Sequence, residues 1–206
     1  MTSSAEIQEP ALVAVRAQAL ECLFRPRGTV RCSGRPAFRS QLARDLGCLL
    51  DVDDEVDAWS CLPVMLLEGN NSHVPDFLVL RGSEHVLMDA VRHPGDAPHG
   101  WIEEAAAERG YGYETWRVER IRSGYRLSNA RDLLRYAGWE CPLGDRVRLL
   151  AGLDETGSMT ITECLSAFRE TRPIAGLSSL ILNRFVEIDL DEARVGPETQ
   201  VRRSRR

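Results

Sequence analysis

Two apolar runs hinged on a glycine, "HVPDFLVL" and "EHVLMDAV" on either side of Gly82, constrain this chain more than any other stretch. The second run is apolar almost throughout and does not alternate with polar residues. A strand of that kind is buried on both faces, so it belongs in the middle of a sheet with cover on each side. The neighbouring sequence supplies that cover. In "FRSQLARDLGCLLDVD", Phe38, Leu42, Leu46, Leu49 and Leu50 share one helical face, and Ser40 is placed to cap the start. "WIEEAAAERG" predicts a second helix, with Glu103 and Glu104 in its first turn and Gly110 at its end. "VDAWSCLPVMLLEGNNS" reads as a strand broken at Pro63 and turning at Gly69-Asn70-Asn71, and "YGYETWRV" as a further strand. The predicted order is helix, three strands, helix, strand: an α/β mixed sheet flanked by helices. Upstream, residues 1–10 read as disordered, "ALVAVRAQALECLF" as a short helix and "RPRGTVRCSGRP" as a loop; "HPGDAPHG" is a second loop.

Beyond Asn129 the pattern changes to short helices: "NARDLLRYAG", "LGDRVRLLAGLDETG", "TITECLSAFRE" and "PIAGLSSLILNR". The third begins at Thr160 with Glu163 three residues on, a capping box. The fourth has Pro173 at its first position. "FVEIDLD" alternates like an exposed strand, and "ETQVRR" can pair with it. Helices followed by a two-stranded ribbon have the layout of a winged helix-turn-helix, a small α+β domain. The expected division is therefore 1–35, an N-terminal helix and loop; 36–127, the sheet domain; and 128–206, the winged-helix-like domain with a basic tail.

The 206 residues contain no lysine, so all 26 basic residues are arginine. Up to Gly110, 10 Arg stand against 17 Asp and Glu, a net −7; beyond it, 16 Arg stand against 14 acids, a net +2. If phosphates are bound, the second half is the better candidate. Arg117, Arg120, Arg122 and Arg126 in "WRVERIRSGYR", with Arg202 and Arg203 in the tail "VRRSRR", are the expected nucleic-acid contacts. The six cysteines (Cys22, Cys32, Cys48, Cys61, Cys141, Cys164) are scattered singly, without the spacing of a zinc site or a disulfide framework, and are expected reduced and mostly buried. Trp59, Trp101, Trp116 and Trp139 are spread out, as core residues would be. His85, Asp89 and His93 stand four apart, but on a strand that spacing carries no metal-binding meaning. No apolar run approaches the length of a membrane helix, and "MTSSAEIQEP" lacks signal-peptide features, so a cytoplasmic protein with no membrane contact is expected.

The apolar strands carry the chemistry. Asp76, after Pro75, and Asp89 stand where neighbouring strands end. Two carboxylates so placed can ligate Mg2+ or Mn2+ through hard oxygens. A nuclease built on such a pair usually adds a lysine two residues past the second acid, to orient the attacking water and offset phosphate charge. That position is Val91. Losing such an electrostatic group costs about two to three orders of magnitude in rate. A bulge at Ala90-Val91 would bring Arg92 round to the site; arginine can clamp phosphate but cannot act as a base.

In order and spacing, "FRSQLARDLGCLLDVDDEVDAWSCLPVML", "HVPDFLVL" and "VLMDAV" resemble the restriction-endonuclease-like fold, and more narrowly the catalytic domain of TnsA-type transposon endonucleases. The likeness covers about residues 36–120, and the helical tail with "LILNRFVEIDL" is similar to that family's second domain. The resemblance implies a metal-dependent DNA endonuclease that works with a transposase subunit and an ATPase regulator. Residue by residue, the helix glutamate of the family falls on Ala43 and the lysine on Val91, while the acids are kept as Asp76 and Asp89. The expectation is a TnsA-like subunit with a decayed site (Asp76, Asp89, Arg92), binding DNA weakly and without sequence preference. The rivals are an active endonuclease using those three residues and a winged-helix regulator. By analogy with helix-turn-helix proteins, "PIAGLSSLILNR" would enter the major groove. Its Ile174, Leu177, Leu180, Ile181 and Leu182 leave few polar groups to read bases, so a protein contact is expected there instead.

Overall fold

The computed structural model describes residues 4–93, 95 and 100–204. The predicted loop at 93–100 lies largely outside the described residues, as do Met1–Ser3 and the last two arginines. The chain divides into two compact units, residues 1–25 with 31–122 and residues 26–30 with 123–206. The N-terminal helix therefore belongs to the sheet unit instead of forming a separate segment, and the boundary falls at 122 instead of 127.

In the first unit, α1 runs from Ser4 to Glu21. Residues 4–10 are helical, not disordered as the sequence suggested; Ala5, Glu6, Gln8 and Glu9 are good helix formers, and the helix continues through Pro10. The Arg16 guanidinium fastens α1 to the sheet by donating to the carbonyls of Leu62 (2.9 Å) and Pro63 (3.0 Å). That is the point where the strand ahead breaks: Leu62 is buried at φ 48, an uncommon conformation for a branched side chain. Helix α2, Gln41–Val52, starts where predicted, with Ser40 Oγ accepting from Ala43 N at 3.0 Å. The strands are β1 (Ala58–Cys61), β2 (Leu66–Glu68), β3 (Asn71–His73), β4 (Phe77–Arg81), β5 (Glu84–Val91) and β6 (Gly112–Arg117), with α3 (Trp101–Ala107) before β6 and α4 (Val118–Ile121) after it.

The sheet order is β1-β4-β5-β6, with β6 parallel to β5 and the other pairs antiparallel. The apolar strand β5 is thus internal, as its composition demands, and the α3 connection returns the chain for a parallel partner. Between β4 and β5 the two-residue turn places Gly82 at φ 56, where glycine goes without steric cost. The piece after Pro63 does not join this sheet. Leu66–Glu68 pairs instead with Asn71–His73 as a separate hairpin, and "HVPDFLVL" enters β4 only at Phe77. Pro75 has no N–H for a ladder bond, so the chain changes sheets there. Phe38, Trp59 and Phe77 pack against one another at 5.4–6.2 Å between ring centroids and close the core.

The second unit contains α5 (Arg126–Leu134), α6 (Leu143–Thr156), β7 (Ser158–Thr160), α7 (Ile161–Cys164), a 3-10 turn (Leu165–Ala167), α8 (Pro173–Leu182), β8 (Val186–Ile188) and β9 (Gln200–Arg203). β9 pairs with β8 as expected and also with β7, a three-residue strand the sequence did not announce, so the sheet order is β7-β9-β8. The Thr160–Glu163 capping box is present. Its helix is shorter than predicted, because Phe168 leaves helical geometry (φ −88, ψ 121) and places its ring in the core with Leu149, Leu153 and Leu177. Buried Asn129 ties α5 to the β8–β9 connection: its amide donates to the carbonyls of Leu190 (2.9 Å) and Ala193 (2.8 Å) and its oxygen accepts from Val195 N (3.0 Å). All six cysteines are free thiols, but only Cys48 and Cys164 are buried; Cys22 is exposed, and Cys32, Cys61 and Cys141 are half-buried at loop junctions. Of the tryptophans, Trp59 is a core residue, Trp101 and Trp116 are half-buried, and Trp139 is exposed. Among the described residues no helix is long and apolar enough to cross a membrane.

Candidate functional site

The register of the central hairpin builds the site. Phe77 pairs with Met88, so the next pair outward is Asp76 beside Asp89, at one end of β4 and β5. Both are nearly buried, 7% and 5% exposed. Asp76 N donates to Asp89 Oδ1 (3.0 Å), and Ala90 N donates to Asp76 Oδ2 (3.0 Å). The predicted pairing of these two acids is present.

What faces them was not predicted. Arg39, the residue before the cap of α2, donates through Nε (3.0 Å) and Nη2 (2.8 Å) to Asp76 Oδ1, and the same Nη2 lies 3.3 Å from Asp89 Oδ1. From the far side, His73 Nε2 sits 2.6 Å from Asp89 Oδ2, and the Tyr113 hydroxyl donates to that same oxygen. His73 arrives at the end of the β2–β3 hairpin. Tyr113 arrives through β6, where it pairs with Leu87 and so projects on the Asp89 face two residues away. Side-chain alternation alone would have placed Tyr113 once the parallel register was known. Nothing in the sequence around Arg39 or His73 marks them.

Every oxygen of both carboxylates thus has a donor, and the two acids titrate apart. Burial pushes Asp76 up; the Arg39 charge opposes this and the Asp89 charge adds to it, and the net direction is upward. Burial also acts upward on Asp89, but the hydrogen bond and charge of His73, the Tyr113 hydroxyl and Arg39 outweigh it and hold Asp89 below the ordinary carboxylate range. Burial and the Asp89 charge push Tyr113 well above the normal phenol range, so it stays protonated as a donor. Burial lowers Arg39, but the Asp76 carboxylate more than compensates and the guanidinium stays charged.

A cavity of about 340 Å³ opens beside the pair, lined by Arg39, Ser40, Leu42, His73, Ala90, Val91 and Arg92 as well as the two acids. Val91 is buried and forms an apolar wall where a lysine would be needed. The β5–β6 register runs unbroken from Val86 to Val91, so no bulge exists at Ala90-Val91. Arg92 nevertheless lines the cavity, because it lies one residue beyond the last pair, where the chain bends. On the helix side the lining residues are Ser40 and Leu42, not Ala43. A divalent ion does not fit the residues as they stand: Arg39 already bridges the two inward-facing oxygens. Among the described residues no three His, Cys, Asp or Glu side chains converge as metal ligands.

The expected nucleic-acid arginines are divided between the two units, Arg117, Arg120 and Arg122 on the first and Arg126, Arg202 and Arg203 on the second. Arg117 and Arg120 are exposed on the first unit, with Arg120 stacked on Trp116 at 3.6 Å. Arg122 is held by fully buried Asp45 through two bonds of 3.0 and 3.1 Å. On the second unit Arg126 pairs with Asp191 (2.6 Å), Arg203 pairs with Asp154, and Arg202 is exposed. Helix α8 offers few polar groups; its Ile174, Leu177, Ser178 and Ile181 line a cavity of about 300 Å³. Residues 175–180 and Leu182 are buried, Ser178 and Ser179 among them, and Ile174 is its large exposed residue. Compared with models of known protein families and with curated proteins, the sequence matches neither.

Proposed function

We propose that this protein is a TnsA-like, nuclease-fold subunit of a DNA transposition or related DNA-processing system that has kept the scaffold and lost the cutting reaction. The observation that carries this reading is the Arg39 guanidinium lying across Asp76 and Asp89, where a hydrolytic metal would have to sit. Val91 adds to it, since valine can neither orient water nor offset phosphate charge. The mixed β1-β4-β5-β6 sheet, with its acids at adjoining strand ends, is consistent with a restriction-endonuclease-like first unit. The helix–helix–strand–helix–helix–strand–strand order of the second unit, with β9 central, is consistent with a winged-helix-like domain. Fold likeness alone does not assign a reaction, so the weight rests on the site.

In this reading the protein contributes by association. DNA contact is weak and set by phosphate charge, through exposed arginines such as Arg117 and Arg202. The main partners are proteins: a transposase subunit and an ATPase regulator. The burial of α8 favours this over a sequence-reading regulator, because Ser178 and Ser179 cannot reach base edges from inside the unit. The deciding experiment is nicking of supercoiled plasmid with Mg2+ or Mn2+. No cutting is expected. Metal-dependent cutting that disappears in Asp76→Ala would overturn the proposal.

A further inference from the structure

We infer that Arg39 is an internal cation that replaces a divalent metal on Asp76 and Asp89, and that removing its guanidinium turns the pair into a metal-binding site. This rests on the reading of the site given above but concerns what satisfies the acids, not whether DNA is cut. Three observations carry it. The same nitrogen, Arg39 Nη2, lies 2.8 Å from one inward oxygen and 3.3 Å from the other, so both carboxylates converge on a single point. The outward oxygens are fixed by other donors, Ala90 N on Asp76 and His73 with Tyr113 on Asp89, so the inward pair stays aimed when Arg39 is lost. The side chain of Arg39 is 37% exposed and borders the cavity, so its removal leaves a solvent path through which an ion can keep its remaining waters.

Charge makes the substitution costly without a replacement cation. Two nearly buried carboxylates facing one point repel each other, and one of them must take up a proton or a counter-ion when the guanidinium is gone. Oxygen ligands bind hard divalent ions at about 2.0–2.6 Å. The 2.8 and 3.3 Å distances at the Nη2 position must therefore shorten by about 0.2–1.3 Å to hold an ion such as Mn2+.

The test is a Mn2+ titration by calorimetry on the full chain. The samples are the parent, Arg39→Ala, Arg39→Gln and the double variant Arg39→Ala/Asp89→Asn, each with its thermal midpoint measured in EDTA and in Mn2+. The parent should show no binding. Arg39→Ala and Arg39→Gln should bind one Mn2+ with a Kd on the order of 10⁻⁴–10⁻³ M, the weak end expected of a site with few protein ligands. The double variant should lose most of that binding. If Arg39→Ala is unfolded in EDTA, Mn2+ should restore its folding. Three results would overturn the inference: folded Arg39 variants that take up no Mn2+, unfolded ones that Mn2+ does not rescue, or a parent that binds as tightly as the variants. Cutting of plasmid by the parent would instead sink the proposed function and is read separately.

Discussion

Gly176→Ala should destabilise the second unit, while the same change at Gly152 should stabilise it. Both glycines lie inside helices, so each alanine gains about 0.8–1 kcal/mol of helix propensity. Their surroundings differ. A methyl group at Gly176 would stand 2.6 Å from two ring carbons of Phe168 and 2.7 Å from Thr171 Cγ2. Carbon atoms pack at about 3.5–4.0 Å, so three contacts overlap by nearly 1 Å. Neither neighbour can easily retreat. Phe168 is embedded among Leu149, Leu153 and Leu177, and Thr171 N is bonded to buried Asp145 (3.0 Å). Overpacking of this kind costs about 1–3 kcal/mol. With three simultaneous overlaps the upper end applies, leaving a net loss of about 2 kcal/mol after the propensity gain. At Gly152 the new methyl would meet only Met159 sulfur at 3.4 Å, an ordinary contact with a flexible side chain, so propensity prevails. In a unit of this size about 1 kcal/mol moves the thermal midpoint by roughly 4–8 °C. Gly176→Ala should therefore lower the midpoint of the second unit by about 10 °C, and Gly152→Ala should raise it by a few degrees. Thermal and urea unfolding followed by far-UV circular dichroism would measure both. A neutral or stabilised Gly176→Ala, or equal shifts of the same sign at both sites, would refute the packing argument.

Arg122→Ala should destabilise the first unit by about 1–3 kcal/mol, less than for a fully buried pair because the guanidinium is half-exposed, by removing the Arg122 charge and its two hydrogen bonds from the buried Asp45 carboxylate; urea midpoints would show it, and an unchanged midpoint would rule it out. In acid, stability should fall. Burial acts upward on Asp89 and Asp145, but their hydrogen bonds hold both below the ordinary range, so the stability they contribute is complete above the unfolded carboxylate value and is lost as pH drops through their folded values, from about pH 5 downward. Asp145→Asn should flatten that slope for the second unit, and an unchanged slope would contradict the assignment. DNA binding should be weak, fall with rising salt, and lose about one unit of salt slope for each of Arg117→Ala and Arg202→Ala; binding to random duplexes at several salt concentrations measures this, and sequence-specific binding tighter than about 10⁻⁸ M at physiological salt would overturn it.

The local and near-local features were legible in the amino-acid order because their causes are local. The apolar run of β5 required an internal strand, Gly82 marked its turn, Ser40, Thr160 and Gly157 marked helix ends, and Pro75-Asp76 with Asp89 marked the two acids. Hairpin register then put those acids side by side, since an antiparallel pair joined by a two-residue turn has little freedom to slip. What the order of residues did not disclose depends on contacts between distant segments. Arg39 and Asp89 are 50 positions apart, and Tyr113 reaches Asp89 only through the parallel β5–β6 register, which the α3 connection leaves open until the helix packs. Of the six arginines expected to meet phosphate, Arg122, Arg126 and Arg203 are engaged by Asp45, Asp191 and Asp154, acids distant in the sequence. The sequence by itself determined that two carboxylates would meet at a strand end without a lysine; only the tertiary structure decided that the arginine before the cap of α2 would bridge them, because that guanidinium arrives from 37 and 50 positions away along the chain.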